Sequence, residues 1–259
     1  MNRADSRPLP ARRAARPRRR ARWPARGLAA LVLLGGCGGE PGTAEAARTT
    51  EYAVPLGTRT LVLDGTVGRV RVRTDSTATS ARVWLTARAR GATDRSARRR
   101  LDALVVNEAR DAALHQIVWR AEEGQREGLS ADLRVQLPRG ASLVVHVEEG
   151  SVELLGPDGL LEVMLERGPI TILDGRPLSG VAWALDTSSG DVSVGFAAGA
   201  RARTAAETDA GAVRLAGQRL DHAPSGRAGV TLLGDADGAP PADVSVWTGR
   251  GDVVTTVAE

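Results

Sequence analysis

Apolar and polar residues alternate along most of this chain from about Glu51 onward. TRTLVLDG, GRVRVRT and ARVWLTARA each place apolar side chains at every second position, the signature of strands with one buried face. One stretch changes period. In TDRSARRRLDALV, Ala97, Leu101 and Leu104 fall at helical spacing, with Thr93 or Asp94 placed to cap the N-terminus, which predicts a short helix near 94–104. Strands resume in ALVVNEA, ALHQIVW and ADLRVQLP, up to Pro138.

Beyond Pro138 the alternation repeats itself around glycines. Gly150, Gly168, Gly190, Gly211 and Gly251 each stand two and four residues before an inward pair, such as Val152 and Leu154 or Val192 and Val194. The pairs Val145 and Val147, Leu185 and Thr187, and Val246 and Thr248 stand five and three residues before their glycines. Each unit therefore reads strand, glycine corner, strand, with Gly68 in GRVRV as an earlier corner of the same kind. The spacings are 18, 22, 21 and 40 residues, so a unit is about 20 residues and the last gap spans two. Gly229 in RAGVTLLGD is the candidate for the missing corner.

Units of constant length with registered core positions predict an all-β fold: a parallel β-solenoid over 139–259, with the strands and helix of 51–138 as its N-terminal cap. The alternative is an antiparallel β-sandwich whose hairpins share a length. Several registers match at once, and no Asn-Gly or Asp-Gly turn joins each pair, which favours the solenoid.

Ahead of the strands the pattern is different in kind. Residues 1–36 hold ten of the 35 basic residues and one of the 31 acids, followed by the apolar run GLAALVLLGG. A basic segment and an apolar run of about ten residues, too short to span a bilayer, form an export signal. Its end, Leu34-Gly35-Gly36-Cys37, resembles the bacterial lipoprotein signal, which implies cleavage before Cys37 and a diacylglycerol on its thiol. Several acyl chains at a new N-terminus give stable anchoring, and Gly38 resembles the default that is sorted to the outer membrane. Residues 37–50 are small and polar and read as a flexible tether.

The leader also changes the charge. The whole chain is formally +4, but without residues 1–36 it holds 25 basic and 30 acidic residues, a net charge near −5. Nucleic acid is therefore not an expected partner. Cys37 is the chain's one cysteine, so no disulfide staples the exported part.

Catalytic chemistry finds little to stand on. His115, His146 and His222 lie in no HExxH or serine-elbow setting, and His146 alternates outward from Val145 and Val147. Glu148, Glu149, Glu153, Glu162 and Glu166 are outward acids that an acidic ladder would use, with a solvated strand face as the plain alternative. Asp235, Asp237 and Asp243 supply part of a calcium loop and too few oxygens for a whole one. Arg95, Arg98, Arg99 and Arg100 make the helix basic and a candidate contact for anions. Trp119 and Trp183 share the apolar register and belong to the core; Trp84 and Trp247 lie within strand patterns.

GRVRV, LPRGASLVVHVEEGSVELLG and the serial SSGDVSV, DAGAVRL and GRGDVVT resemble the putative-adhesin family of bacterial β-strand-repeat domains, over nearly all of 51–259. The resemblance implies a repeat fold and leaves the function open. The expected function is a non-enzymatic binding, adhesion or scaffolding module, anchored to the envelope by lipid, needing no cofactor, with an unidentified envelope protein or glycan as partner. Two other classes are an envelope-stress accessory lipoprotein with a membrane partner and a polysaccharide-active β-helix enzyme.

Overall fold

The computed structural model describes residues 43–54, 60–111, 113–222, 226–234 and 240–258. The chain is all-β apart from one short helix. Strands β1 (Ala44–Val54), β2 (Thr60–Asp75) and β3 (Ala81–Gly91) precede helix α1 (Asp94–Asp102). They are followed by β4 (Val105–Arg110), β5 (Leu114–Arg120), β6 (Leu129–Pro138), β7 (Ser142–Leu155), β8 (Leu161–Arg167) and β9 (Ile170–Gly175). Then come β10 (Ala182–Ser189), β11 (Val192–Phe196), β12 (Ala202–Ala210) and β13 (Val213–Arg214). The last are β14 (Gln218–His222), β15 (Ala228–Leu233), β16 (Ala242–Arg250) and β17 (Val253–Val257).

All belong to one mixed sheet, whose pairings sort into two ladders. The first runs β4, β5, the start of β2, the start of β7, β8, β10, β16, β12, β15, β14. The second runs β1, β3, β6, the end of β2, the end of β7, β9, β11, β17, β13. From β2 to β12 and β13 the pairs are parallel. Inward side chains of both ladders, from Leu63 and Val145 to Val194 and Val253, form a single apolar cluster. Trp183 of the first ladder stacks on Phe196 of the second, with ring centres 6.3 Å apart, and its Nε1 donates to Gly159 O at 2.9 Å.

The chain crosses from one ladder to the other at glycines that stand in one column. A Cβ at Gly150 would lie 1.7 Å from Gly68 O, at Gly168 1.8 Å from Gly150 O, and at Gly190 1.9 Å from Gly168 O. The column then departs from chain order: Gly251 stacks on Gly190, and Gly211 stacks on Gly251. The last corner of the sequence thus sits between two earlier ones. Val246 pairs with Leu185 on one side and Ala206 on the other, and Val253 pairs with Val192 and Val213.

Side chains on both sides of the corner reinforce this order. Thr187, Thr248 and Thr208, each three residues before its glycine and almost fully buried, donate to the carbonyls of Gly168, Gly190 and Gly251. The Asp252 N–H donates to Asp191 Oδ1, and the Ala212 N–H to Asp252 Oδ1, both at 2.9 Å. At Gly190 and Gly251 an aspartate after the glycine gives the next unit an acceptor. Ala212 offers none, and its unit ends the column.

Three expectations need correction. Gly229 is not a corner: it pairs antiparallel with Ala206 in β15, a hairpin strand that flanks β12. The tether does not extend to residue 50, because Ala44–Thr50 belong to β1, antiparallel to β3. Up to residue 50 its inward positions carry Ala44, Ala46, Arg48 and Thr50 in place of large apolar residues, which leaves little hydropathy contrast to reveal a strand. The division at residue 138 also cuts through the repeat, since β2 runs parallel to β7 from Thr60↔Ser142 to Arg73↔Leu155 and contributes Gly68 to the column.

Helix α1 forms where its period predicts. Thr93 caps it by accepting from the Ser96 N–H at 3.2 Å, while Ser96 Oγ accepts from the Thr93 N–H at 3.0 Å. Ala97, Leu101 and Leu104 are buried.

Candidate functional site

The outward face of the first ladder carries the residues best placed to meet a ligand. In a strand, neighbours of buried residues point the other way, so the residues between the inward rows form rows of their own. One of these runs Asp64, His146, Met164, Asp186, Trp247, Glu207 across six adjacent strands. Val246 and Thr248 are 2% and 0% exposed, which turns Trp247 outward between them. Its indole leans along its own strand over Gly249, where a Cβ would come within 3.4 Å of Cη2. The outward residues in the preceding row on β10, β16 and β12 are small: Ala184, Ser245 and Ala205.

Electrostatics divide this face in two. Asp64 is paired with Arg120 at 2.6 Å, Glu148 with Arg126 at 2.7 Å, Glu149 with Arg167 at 3.1 Å, and Glu162 lies 3.4 Å from His146. Asp186 and Glu207 form no hydrogen bond or ion pair among the described residues. Burial, and then the neighbouring Glu162, raise the pKa of Asp186 above the ordinary carboxylate value.

The five outward glutamates do not form one acidic ladder. Glu148, Glu149 and Glu162 take the basic partners just named, and Glu153 stands on the second ladder, 3.7 Å from Arg71. Of the calcium candidates, Asp243 is the second residue of β16, in register with Arg203, while Asp235 and Asp237 lie outside the described residues. Among the described residues, no group of three or more His, Cys, Asp or Glu is placed to hold a metal ion. Leu34, Gly35, Gly36 and Cys37 also lie outside the described residues.

The helix arginines separate by role. Arg95, Arg98 and Arg99 are exposed. Arg100 Nη1 donates to Arg90 O at 2.8 Å and to Glu127 O at 3.2 Å, so it fastens the helix to the end of β3 and the segment before β6. Trp119 and Trp183 are buried in the core, and Trp84 faces outward on β3. His115 is 1% exposed with Nε2 2.9 Å from Glu108 Oε1, and burial lowers its pKa more than Glu108 raises it. His222 pairs through its backbone with Gly229.

Sequence reasoning missed the site around Trp247. Alternation alone turns Trp247 outward, but its neighbours depend on β16 entering between β10 and β12.

No protein-family model and no curated protein matches the chain. Solved structures resemble it in fold. A putative cell adhesion protein from Clostridium sporogenes aligns over 82% of this chain and all of its own, at 10% identity and a TM-score of 0.59. A putative adhesin from Bacteroides fragilis aligns over 85% and 100%, at 12% identity and a TM-score of 0.34. One from Parabacteroides distasonis aligns over 80% and 97%, at 9% identity and a TM-score of 0.23. The first of these likenesses shows that the chain shares the fold of a solved putative cell adhesion protein.

Proposed function

We propose that this protein is a lipid-anchored component of the bacterial envelope, whose β domain is a non-enzymatic module for binding, adhesion or scaffolding at the cell surface. The ladders are read as stacked coils of a β-solenoid, with the glycine column as the coil corner. The observation that carries the reading is the outward row from Asp64 to Glu207, a broad, regular face in which Asp186 and Glu207 form no hydrogen bond or ion pair among the described residues. A face of this kind suits recognition over an area better than chemistry at a point. The fold shared with a solved putative cell adhesion protein supports the same reading. Cys37 holds the module to the membrane, in the outer membrane where a cell has two.

Metabolic labelling with an alkyne fatty acid tests the anchor. Wild-type protein is expected to take the label and sediment with membranes. Cys37→Ser is expected to lose the label and appear in the soluble fraction. Equal labelling of the two would refute the anchor. Protease added to intact cells tests the surface role, which predicts cleavage and is contradicted by full protection.

A further inference from the structure

The row centred on Trp247 has a composition that selects its ligand by charge. Trp247 stands on β16 with Asp186 in register on one side and Glu207 on the other, each one strand away, about 4.8 Å. The indole lies over Gly249, and small residues occupy the preceding row, so no bulky outward side chain in that row covers the ring. Toward the edge of this face three acids take a basic partner: Asp64 has Arg120, Glu148 has Arg126 and Glu149 has Arg167. The two carboxylates that flank the indole have none among the described residues.

Resting on the binding-module reading, we propose that Trp247, Asp186 and Glu207 form a receptor site for a cationic side chain, a lysine ammonium or arginine guanidinium in a basic segment of a partner polypeptide. Trp offers the best π face for a cation among the aromatic side chains. Carboxylates on the strands to either side of Trp247 add attraction and accept hydrogen bonds from the charged group. Glu162, diagonal to Asp186, extends the negative field. The chain beyond residue 36 is net acidic, near −5, so the approach of a basic segment is favoured at long range as well. A neutral saccharide would use the ring without needing either carboxylate to be charged. Two carboxylates without basic partners, close to a third acid, match a cation better.

The proposal is tested on the membrane-extracted full protein by calorimetric titration with hexalysine, with maltohexaose as the neutral comparison. Hexalysine is expected to bind at low salt and to weaken as salt is raised. Trp247→Ala is expected to lower that affinity about fivefold, and the double variant Asp186→Asn/Glu207→Gln about tenfold or more. Asp102→Asn on α1, far from the row, is expected to change nothing. All substitutions are at outward positions, and matching thermal transitions verify that each variant is folded.

Hexalysine binding that is absent, or equal in all variants, would overturn the proposal. So would maltohexaose binding that depends on Trp247 and ignores salt. A partner captured in living cells through another face, with hexalysine binding absent, would leave the binding module standing and remove only this site.

Discussion

Gly168→Ala is expected to eliminate the folded state, although it adds one methyl group. The backbone at Gly168 has φ +131°, a conformation that L side chains rarely adopt, and an added Cβ would lie 1.8 Å from the Gly150 carbonyl oxygen. That oxygen belongs to β7, where Gly150 is paired with Gly68 of β2, so relief requires one unit to shift against another. The strain falls in the class of single changes that cost more than about 4 kcal/mol, against a total stability of about 5–15 kcal/mol for a typical domain. Urea denaturation followed by circular dichroism checks this. Gly156→Ala is the comparison: its φ is +66°, nothing lies within 4 Å of an added Cβ, and a cost of about 1–2 kcal/mol is expected from the left-handed backbone alone. A Gly168→Ala protein that unfolds at the wild-type midpoint would show that the column is not close-packed.

Deleting residues 242–259 is expected to disrupt the domain well beyond the segment removed. In a stack built in chain order, such a cut would remove an end unit. Here it takes β16 from between β10 and β12, and β17 from between β11 and β13. It also removes Val244, Val246 and Val253, all nearly or fully buried, at about 1.5–3 kcal/mol of burial each. Thr187, on β10, keeps its bond to Gly168. Thr208 loses its acceptor, Gly251 O, and Ala212 N–H loses Asp252. Limited proteolysis is therefore expected to open residues 182–233 in the truncated protein while the wild type resists. Equal resistance would contradict the inserted position of β16 and β17.

Much of this architecture is legible in the sequence, because alternation is a local property. Whether Val246 or Trp247 points inward follows from the two or three residues on either side. Corner glycines are legible for the same reason, since each is flanked by inward pairs at fixed offsets. Stacking order is a property of contacts between distant residues, and equal spacing carries no information about it. A trace does exist in the residue after the last three glycines of the column: Asp191 and Asp252 serve the unit stacked on them, and Ala212 serves none. β1 was hidden for another reason. Over 44–50 its inward positions are Ala44, Ala46, Arg48 and Thr50, and this part gains its place by pairing with β3 and packing near α1 rather than by hydrophobic contrast.

The site depends on the same nonlocal order. Asp186, Trp247 and Glu207 are dispersed over more than 60 residues, and no motif search would join them. Glu162 and His146 likewise meet through the pairing of β7 with β8. Arg100 shows the converse. Sequence places it in one row with Arg95, Arg98 and Arg99, and only its tertiary contacts to Arg90 and Glu127 separate a structural arginine from the exposed ones.

Everything said of the binding face follows from β16 lying between β10 and β12. The most direct test is a set of backbone nuclear Overhauser contacts in isotope-labelled protein. Contacts from Val246 to both Leu185 and Ala206 are predicted, with none between Leu185 and Ala206, which are two strands apart. Strong backbone contacts between Leu185 and Ala206, with Val246 touching only one of them, would contradict the account.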